Sequence, residues 1–193
     1  MNMNKFRIIK RSSLAVALIA LSAGSAFAQS TQTTVNVTAS VQSTCNMQAG
    51  TTDVAFGPIP AFLSGTQTAT GQVTLQCNRG ATVSIDINNG SAGNFGNGQA
   101  AGLRAMKSGT SDYISYHIYQ PTGLSASSAG SCGVTGTEWG SGAGGSALDV
   151  STLYSASGGP RQINLCGVVG AAPTGGYAVG TNYLDVVTVT ATY

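Results

Sequence analysis

The chain has 193 residues, 42% of them hydrophobic and only 7% charged, with 27 glycines, four cysteines and one histidine. Its formal charge of +2 misleads, because Lys5, Arg7, Lys10 and Arg11 crowd the start; beyond residue 28, four basic residues face six acids, a charge of −2. No basic patch is left for nucleic acid or anionic lipid, and four widely spaced cysteines beside the lone His117 argue against a zinc site.

The basic start runs into an apolar stretch from Leu14 to about Leu21 and the small-x-small triplet Ala26-Phe27-Ala28. That is the layout of a secretory signal peptide, residues 1–28, with cleavage expected before Gln29. The apolar stretch is too short to cross a bilayer, and no later one approaches the roughly 20 apolar residues of a spanning helix. A soluble, exported protein is expected. About 165 residues then remain, enough for one domain with its own core. Export makes two disulfides the expected state of Cys45, Cys77, Cys132 and Cys166, and four cysteines allow three connectivities.

From Thr33 to Cys45 the apolar Val35, Val37, Ala39 and Val41 alternate with Asn36, Thr38 and Ser40. Period-2 alternation puts the four apolar side chains on one face of an extended strand. No turn and second strand follow closely, so its partner is distant in this chain or belongs to another chain. Further short alternations come next, each closed by turn residues: Thr52-Val54-Phe56 before Gly57-Pro58, Val73-Leu75-Cys77 before Asn78-Arg79-Gly80, and Val83-Ile85-Ile87 before Asn88-Asn89-Gly90. A glycine-rich loop spans 91–102. Ile114-Tyr116-Ile118 gives another strand, ended at Pro121-Thr122-Gly123. Residues 124–160 are mostly Gly, Ser and Ala around Trp139, with a short helical turn expected near Ala147 to Leu153. Strand character resumes at Ile163-Leu165 and Val168, and the chain closes on Val187, Val189, Ala191 and Tyr193 alternating with threonines. Many short strands without a long helix predict an all-β, antiparallel sandwich of immunoglobulin-like type, a closed barrel being the alternative.

Catalytic patterns are weak. His117 lies on the strand face opposite Ile114, Tyr116 and Ile118, and no Gly-x-Ser-x-Gly elbow accompanies it. The acids form no close pair in sequence. The glycines at 140, 142, 144 and 145 lack the Lys-Ser/Thr and the helix of a phosphate loop. No enzyme activity and no cofactor are expected. Asn36-Val-Thr38 and Asn89-Gly-Ser91 match the glycosylation acceptor pattern. Tyr113, Tyr119 and Trp139 would serve either a sugar-binding surface or, more simply, as rim and loop anchors.

One ordered set of residues carries a resemblance. It comprises Cys45 with Val54-Ala55-Phe56-Gly57, then Gly71 to Cys77 (GQVTLQC), Arg104-Ala105-Met106-Lys107, Ile114 to Tyr119 (ISYHIY), and Tyr183-Leu184-Asp185 before the closing strand. The chain resembles the spore coat protein U domain family, which includes pilin subunits of archaic, Csu-type chaperone–usher fimbriae. The resemblance implies an incomplete immunoglobulin-like, pilin-type β-sandwich that lacks its last strand. A periplasmic chaperone would fill the gap first, and the N-terminal donor strand of a neighbouring subunit would fill it after assembly at an outer-membrane usher. On that reading residues 29–44 are the donor extension and 45–193 the domain. Val35, Val37, Ala39 and Val41 are the donor side chains, Cys45–Cys77 is the family's disulfide, and Val187, Val189, Ala191 and Tyr193 flank the groove. The chain departs from the family in having Cys166-Gly167 where a Tyr-Gly pair is usual, and Cys132 in a long insertion. A second bridge, Cys132–Cys166, would pin that insertion. The function implied is a structural subunit of a surface fimbria supporting attachment and biofilm formation. The alternatives are a self-complete, lectin-like adhesin using loops 91–102 and 124–160, and a coat protein.

Overall fold

The computed structural model describes residues 32–91, 94–98, 103–140, 144–180 and 182–193. The expected signal peptide, residues 1–28, lies outside them. The chain divides into two units, Met1–Ala39 and Ser40–Tyr193. Residues 32–39 of the first unit form no strand.

The second unit contains β1 (Cys45–Met47), β2 (Gln67–Cys77), β3 (Ser84–Ile87), β4 (Arg104–Ser108), β5 (Asp112–Tyr119), β6 (Leu148–Asp149), β7 (Gly159–Val169) and β8 (Val189–Thr192). They form two sheets, one in the order β1-β2-β7-β5-β4 and one in the order β6-β3-β8. Every strand pairing is antiparallel. The fold is an all-β, immunoglobulin-like sandwich, and the barrel alternative falls because the strands sort into two separate sheets. Its backbone is the ladder of β2 and β7, in register over all eleven positions from Gln67↔Val169 to Cys77↔Gly159. Alternation fixes that register, since a slip by one residue would turn Val73, Leu75, Ile163 and Leu165 out to solvent. These side chains meet Ile114, Tyr116 and Ile118 of β5 and Ile85 and Ile87 of β3 in a single core, each large apolar side chain contributing about 1.5–3 kcal/mol by burial.

Three departures from the sequence reading have physical causes. Thr52 to Phe56 is not a strand. Thr52 and Gln72 exchange two backbone hydrogen bonds (2.8 and 3.1 Å), after which Val54 and Phe56 pack above Gly71 and Gly167, where a Cβ would collide with Val54. The Phe56 ring meets Tyr116 edge-on, centroids 6.2 Å apart. The alternation there marks a crossing segment, not a ladder. The expected helical turn at Ala147 to Leu153 is also displaced. Leu148 and Asp149 pair with β3, and a single 3-10 turn follows at Ser151–Tyr154. Trp139, finally, is neither rim nor surface. It is wholly buried, and its indole N–H donates to the Ile85 carbonyl at 2.9 Å.

The 121–137 stretch is fastened to the face of β7 opposite the core. Cys132 and Cys166 form a disulfide with Cα atoms 5.2 Å apart. Asn164 donates its backbone N–H to Ala129 O at 3.0 Å and its side-chain amide to Gly130 O at 2.7 Å.

A charged group joins the two sheets. Arg104 of β4 is fully buried. Its guanidinium donates to Asn88 O (2.8 Å), Ile87 O (3.0 Å), Trp139 O (2.7 Å) and Glu138 Oε1 (2.7 Å). The other Glu138 oxygen meets His117 Nδ1 at 2.9 Å, and His117 stacks on Tyr119. Carbonyls and a carboxylate together meet the geometric demands of the buried fork, as a desolvated cation requires.

Tyr154 gives a test of core polarity. Its hydroxyl donates to Leu75 O at 2.7 Å, and burial pushes it up to about 12, with Arg161 acting weakly the other way. A raised folded-state value means the unfolded chain loses that proton first. The contribution is therefore complete below about pH 10 and declines as pH rises from 10 to 12. Alkaline titration followed at 295 nm should lose one late-ionising tyrosine in Tyr154→Phe while that of Tyr116 remains, and the fall of thermal stability over the same pH interval should be shallower in the variant.

Candidate functional site

The sequence reading points to the closing strand, and its geometry there is unusual. β8 pairs with β3 through Ser84↔Thr192, Ile85↔Ala191, Asp86↔Thr190 and Ile87↔Val189, and it is the terminal strand of its sheet. Val187, Val189 and Ala191 share one face and pack against the core, while Thr188, Thr190 and Thr192 point to solvent. Yet Ile85 and Ile87, one strand away, are fully buried, whereas the three β8-side residues are only half-buried. Among the described residues no strand lies beyond β8, and a core-facing strand with one edge unaccompanied leaves its apolar row partly wet and a line of N–H and C=O groups unmatched. Tyr193, expected on the same row, is exposed and lies one residue beyond β8.

The chain enters β8 through a sheet change. Leu184 exchanges two hydrogen bonds with Lys107 at the edge of β4 (2.9 and 3.0 Å). Four residues later, Thr188 is on β3, its carbonyl accepting from Asn88 N (3.0 Å) and its N–H donating to Asn88 Oδ1 (2.8 Å). Asp185 stands at the change. Its Oδ1 accepts from Ser91 N at 2.7 Å, Val186 N at 2.9 Å and the Asn94 amide at 3.3 Å, and its Oδ2 accepts the Tyr116 hydroxyl at 2.6 Å. Burial first, then the Asp185 carboxylate, holds the Tyr116 phenol well above its ordinary range, so Tyr116 stays a donor at any physiological pH.

At one end of the five-stranded sheet, β1 is only three residues long. Cys45 and Cys77 are ladder partners and also a disulfide, Cα atoms 4.2 Å apart. Asn78 adds a polar clasp, its amide donating to Gln42 O (3.1 Å), its Oδ1 accepting from Thr44 N (2.9 Å) and its N–H donating to Thr44 O (3.2 Å). Residues 32–44, the last of them held by this clasp, are exposed throughout and form no ladder. Val35 is 79%, Val37 93% and Val41 87% exposed, and Ala39 is exposed with them. Three large apolar side chains mostly in water, in a stretch patterned as a strand, are an unmet demand for burial.

Sequence reasoning missed Asp185 and Asn78 as positioning groups. The signal for the first was a lone acid at the mouth of a Val/Thr strand; for the second, an Asn directly after a cysteine and before a turn. Among the described residues no group of three or more His, Cys, Asp and Glu side chains could hold a metal ion. No helix there is long and apolar enough to cross a membrane.

Comparison with known proteins gives two kinds of result. The Spore Coat Protein U domain matches residues 31–190. Among solved structures, the chain is similar to the CsuC–CsuE chaperone–tip adhesion subunit pre-assembly complex from archaic chaperone-usher Csu pili of Acinetobacter baumannii. The identity is 21% over 79% of this chain and 40% of that one, with a TM-score of 0.45; this chain thus spans less than half the length of that one. It is also similar to the P pilus rod subunit PapA, at 14% identity over 77% of this chain and 98% of that one, with a TM-score of 0.44. No curated protein matches the chain.

Proposed function

Because the chain belongs to the Spore Coat Protein U domain family, we propose that it is a structural subunit of a chaperone–usher pilus that polymerises by donor-strand exchange. On this reading residues 1–28 direct export and residues 29–44 donate a strand. The body, residues 45–193, accepts one beside β8, first from a periplasmic chaperone and then, at an outer-membrane usher, from the next subunit. The product is a surface fimbria serving attachment and biofilm formation.

The observation that carries the proposal is a matched pair of deficits in one chain: a half-buried apolar row on the terminal strand β8 and an exposed alternating apolar arm. Docking such an arm supplies about 1.5–3 kcal/mol for each valine and roughly 0.5–1.5 kcal/mol for each ladder hydrogen bond. Ordering the arm costs about 1–2 kcal/mol per residue, so the valines decide the sign. Strand addition at an open edge is an established recognition mode, and because donor and acceptor are different surfaces the contact is head-to-tail and does not close on itself. A filament follows, not a dimer.

The test uses the exported chain carrying Val37→Arg, which cannot bury its own arm. It should remain monomeric on size exclusion where the unmodified chain forms ladders. Added peptide 31–44 should raise its Tm, by roughly 8–16 °C where the peptide is at about 1,000 times its Kd, a stabilisation of about 4 kcal/mol. The same peptide carrying Val37→Arg should not. An unmodified chain that stays monomeric, with a Tm indifferent to the peptide, is a self-complete domain, and the lectin-like adhesin then takes the place of the pilin.

A further inference from the structure

The end of β3 is held from two directions, and only one of them leads to β8. From β4, Arg104 grips the carbonyls of Ile87 and Asn88. From the far side, Asp185 takes the N–H of Ser91 and the amide of Asn94, while the Ser91 hydroxyl accepts the N–H of Val186 at 3.2 Å. Gly90 sits between them at φ +87°, and any Cβ at that position would strike the Asp185 carboxylate. The turn 88–91 is thus shaped around Asp185, and the same carboxylate accepts the hydroxyl of Tyr116 from the five-stranded sheet. One side chain therefore ties together the exit of β3, the strand β5 and the residue at which the chain leaves Leu184 on β4.

We infer that Asp185 is the positioning residue of the acceptor strand: its four hydrogen bonds fix the place and register at which β8 begins, and so the edge offered to an incoming strand. The inference rests on the acceptor reading of β8 given above. β8 is only four residues long and has a ladder partner on one side, so its own hydrogen bonds hold it weakly. The constraint must come from its start. Two anchors surround the sheet change, Leu184 on Lys107 and Thr188 on Asn88, and Asp185 is what prevents the intervening residues from sliding between them. A shift of one residue would exchange the Val187, Val189, Ala191 row for the threonines and remove the apolar face a donor needs.

The experiment compares Asp185→Ala and Asp185→Asn in the exported, monomeric Val37→Arg chain by two readouts: amide hydrogen exchange in the free protein, and the Kd of peptide 31–44. The Asp185→Ala chain should exchange at least tenfold faster at 186–192 while β2 and β7 keep the parent's rates, and its Kd should rise at least tenfold. Asp185→Asn keeps an acceptor oxygen for the three N–H donors and an N–H for the Tyr116 oxygen, so it should recover most of both effects. Faster exchange spread evenly over β2, β7 and β8, or a Kd unchanged in Asp185→Ala, would overturn the inference, since Asp185 would then only add stability. A parent chain that binds no peptide would overturn the acceptor reading itself and this role with it, a failure visible before any Asp185 variant is measured.

Discussion

Arg104→Met is expected to destabilise the domain by about 3–5 kcal/mol, the usual cost of removing one member of a buried ion pair. For a domain of this size that lowers Tm by roughly 6–20 °C. The loss has two parts. The Glu138 side chain, only 11% exposed, loses its guanidinium partner, and the Ile87, Asn88 and Trp139 carbonyls lose their donor. A second substitution separates them. Arg104→Met with Glu138→Met removes the stranded charge but not the stranded carbonyls, so urea denaturation should find it more stable than Arg104→Met alone and less stable than the parent. If the single variant costs below about 1 kcal/mol, an exposed-pair value, the guanidinium is not the link between the sheets.

Removing the Cys45–Cys77 bridge with paired alanines should cost roughly 3–4 kcal/mol in the chain-entropy account of a loop of this length. Cys132 and Cys166 supply an internal comparison, because their sequence separation, 34, is close to the 32 of the first pair. Equal loops predict equal entropic losses. Any difference in the two denaturation midpoints then reports on the native state. The first bridge should cost more, because once the cross-link is gone only a three-position ladder and the exposed Asn78 clasp hold β1, whereas the insertion keeps its part-buried Asn164 hydrogen bonds. Matching midpoints would mean that β1 stays docked without help.

Much of the sandwich was legible because its inner faces obey a two-residue period. Val73-Leu75-Cys77, Ile85-Ile87, Ile114-Tyr116-Ile118 and Ile163-Leu165 all lie in strands and all point inward. What escaped was structure stabilised by polar contacts. β4 reads Arg-Ala-Met-Lys-Ser, and a buried arginine breaks the apolar pattern that a core strand should show. Trp139 hid in a stretch of Gly and Ser because its pocket is built by partners remote in sequence, among them Ile85 and Arg104. The segment Thr52 to Phe56 had the right period for the wrong reason, since its apolar side chains fill space above two glycines. The arm is the converse case: Val35 to Val41 carries the pattern of a strand, but a ladder needs a second strand, and the described residues 32–44 form none. For the same reason the closing strand was readable by composition and its controlling residue was not. Asp185 matters through four hydrogen bonds to 91, 94, 116 and 186, a relationship no local window contains.

The clasp at the base of the arm has a mechanical meaning. A pull on the residues ahead of Cys45 first meets the three hydrogen bonds of Asn78, which can part and re-form, and is then stopped by a covalent bond. The disulfide hands the tension past the three-residue β1 directly to Cys77, the end of β2. There it is shared along the eleven paired positions of β2 and β7, the longest ladder among the described residues. The short strand nearest the load is thereby spared from carrying it, and a tug that would peel β1 away has to shear the centre of the sheet instead.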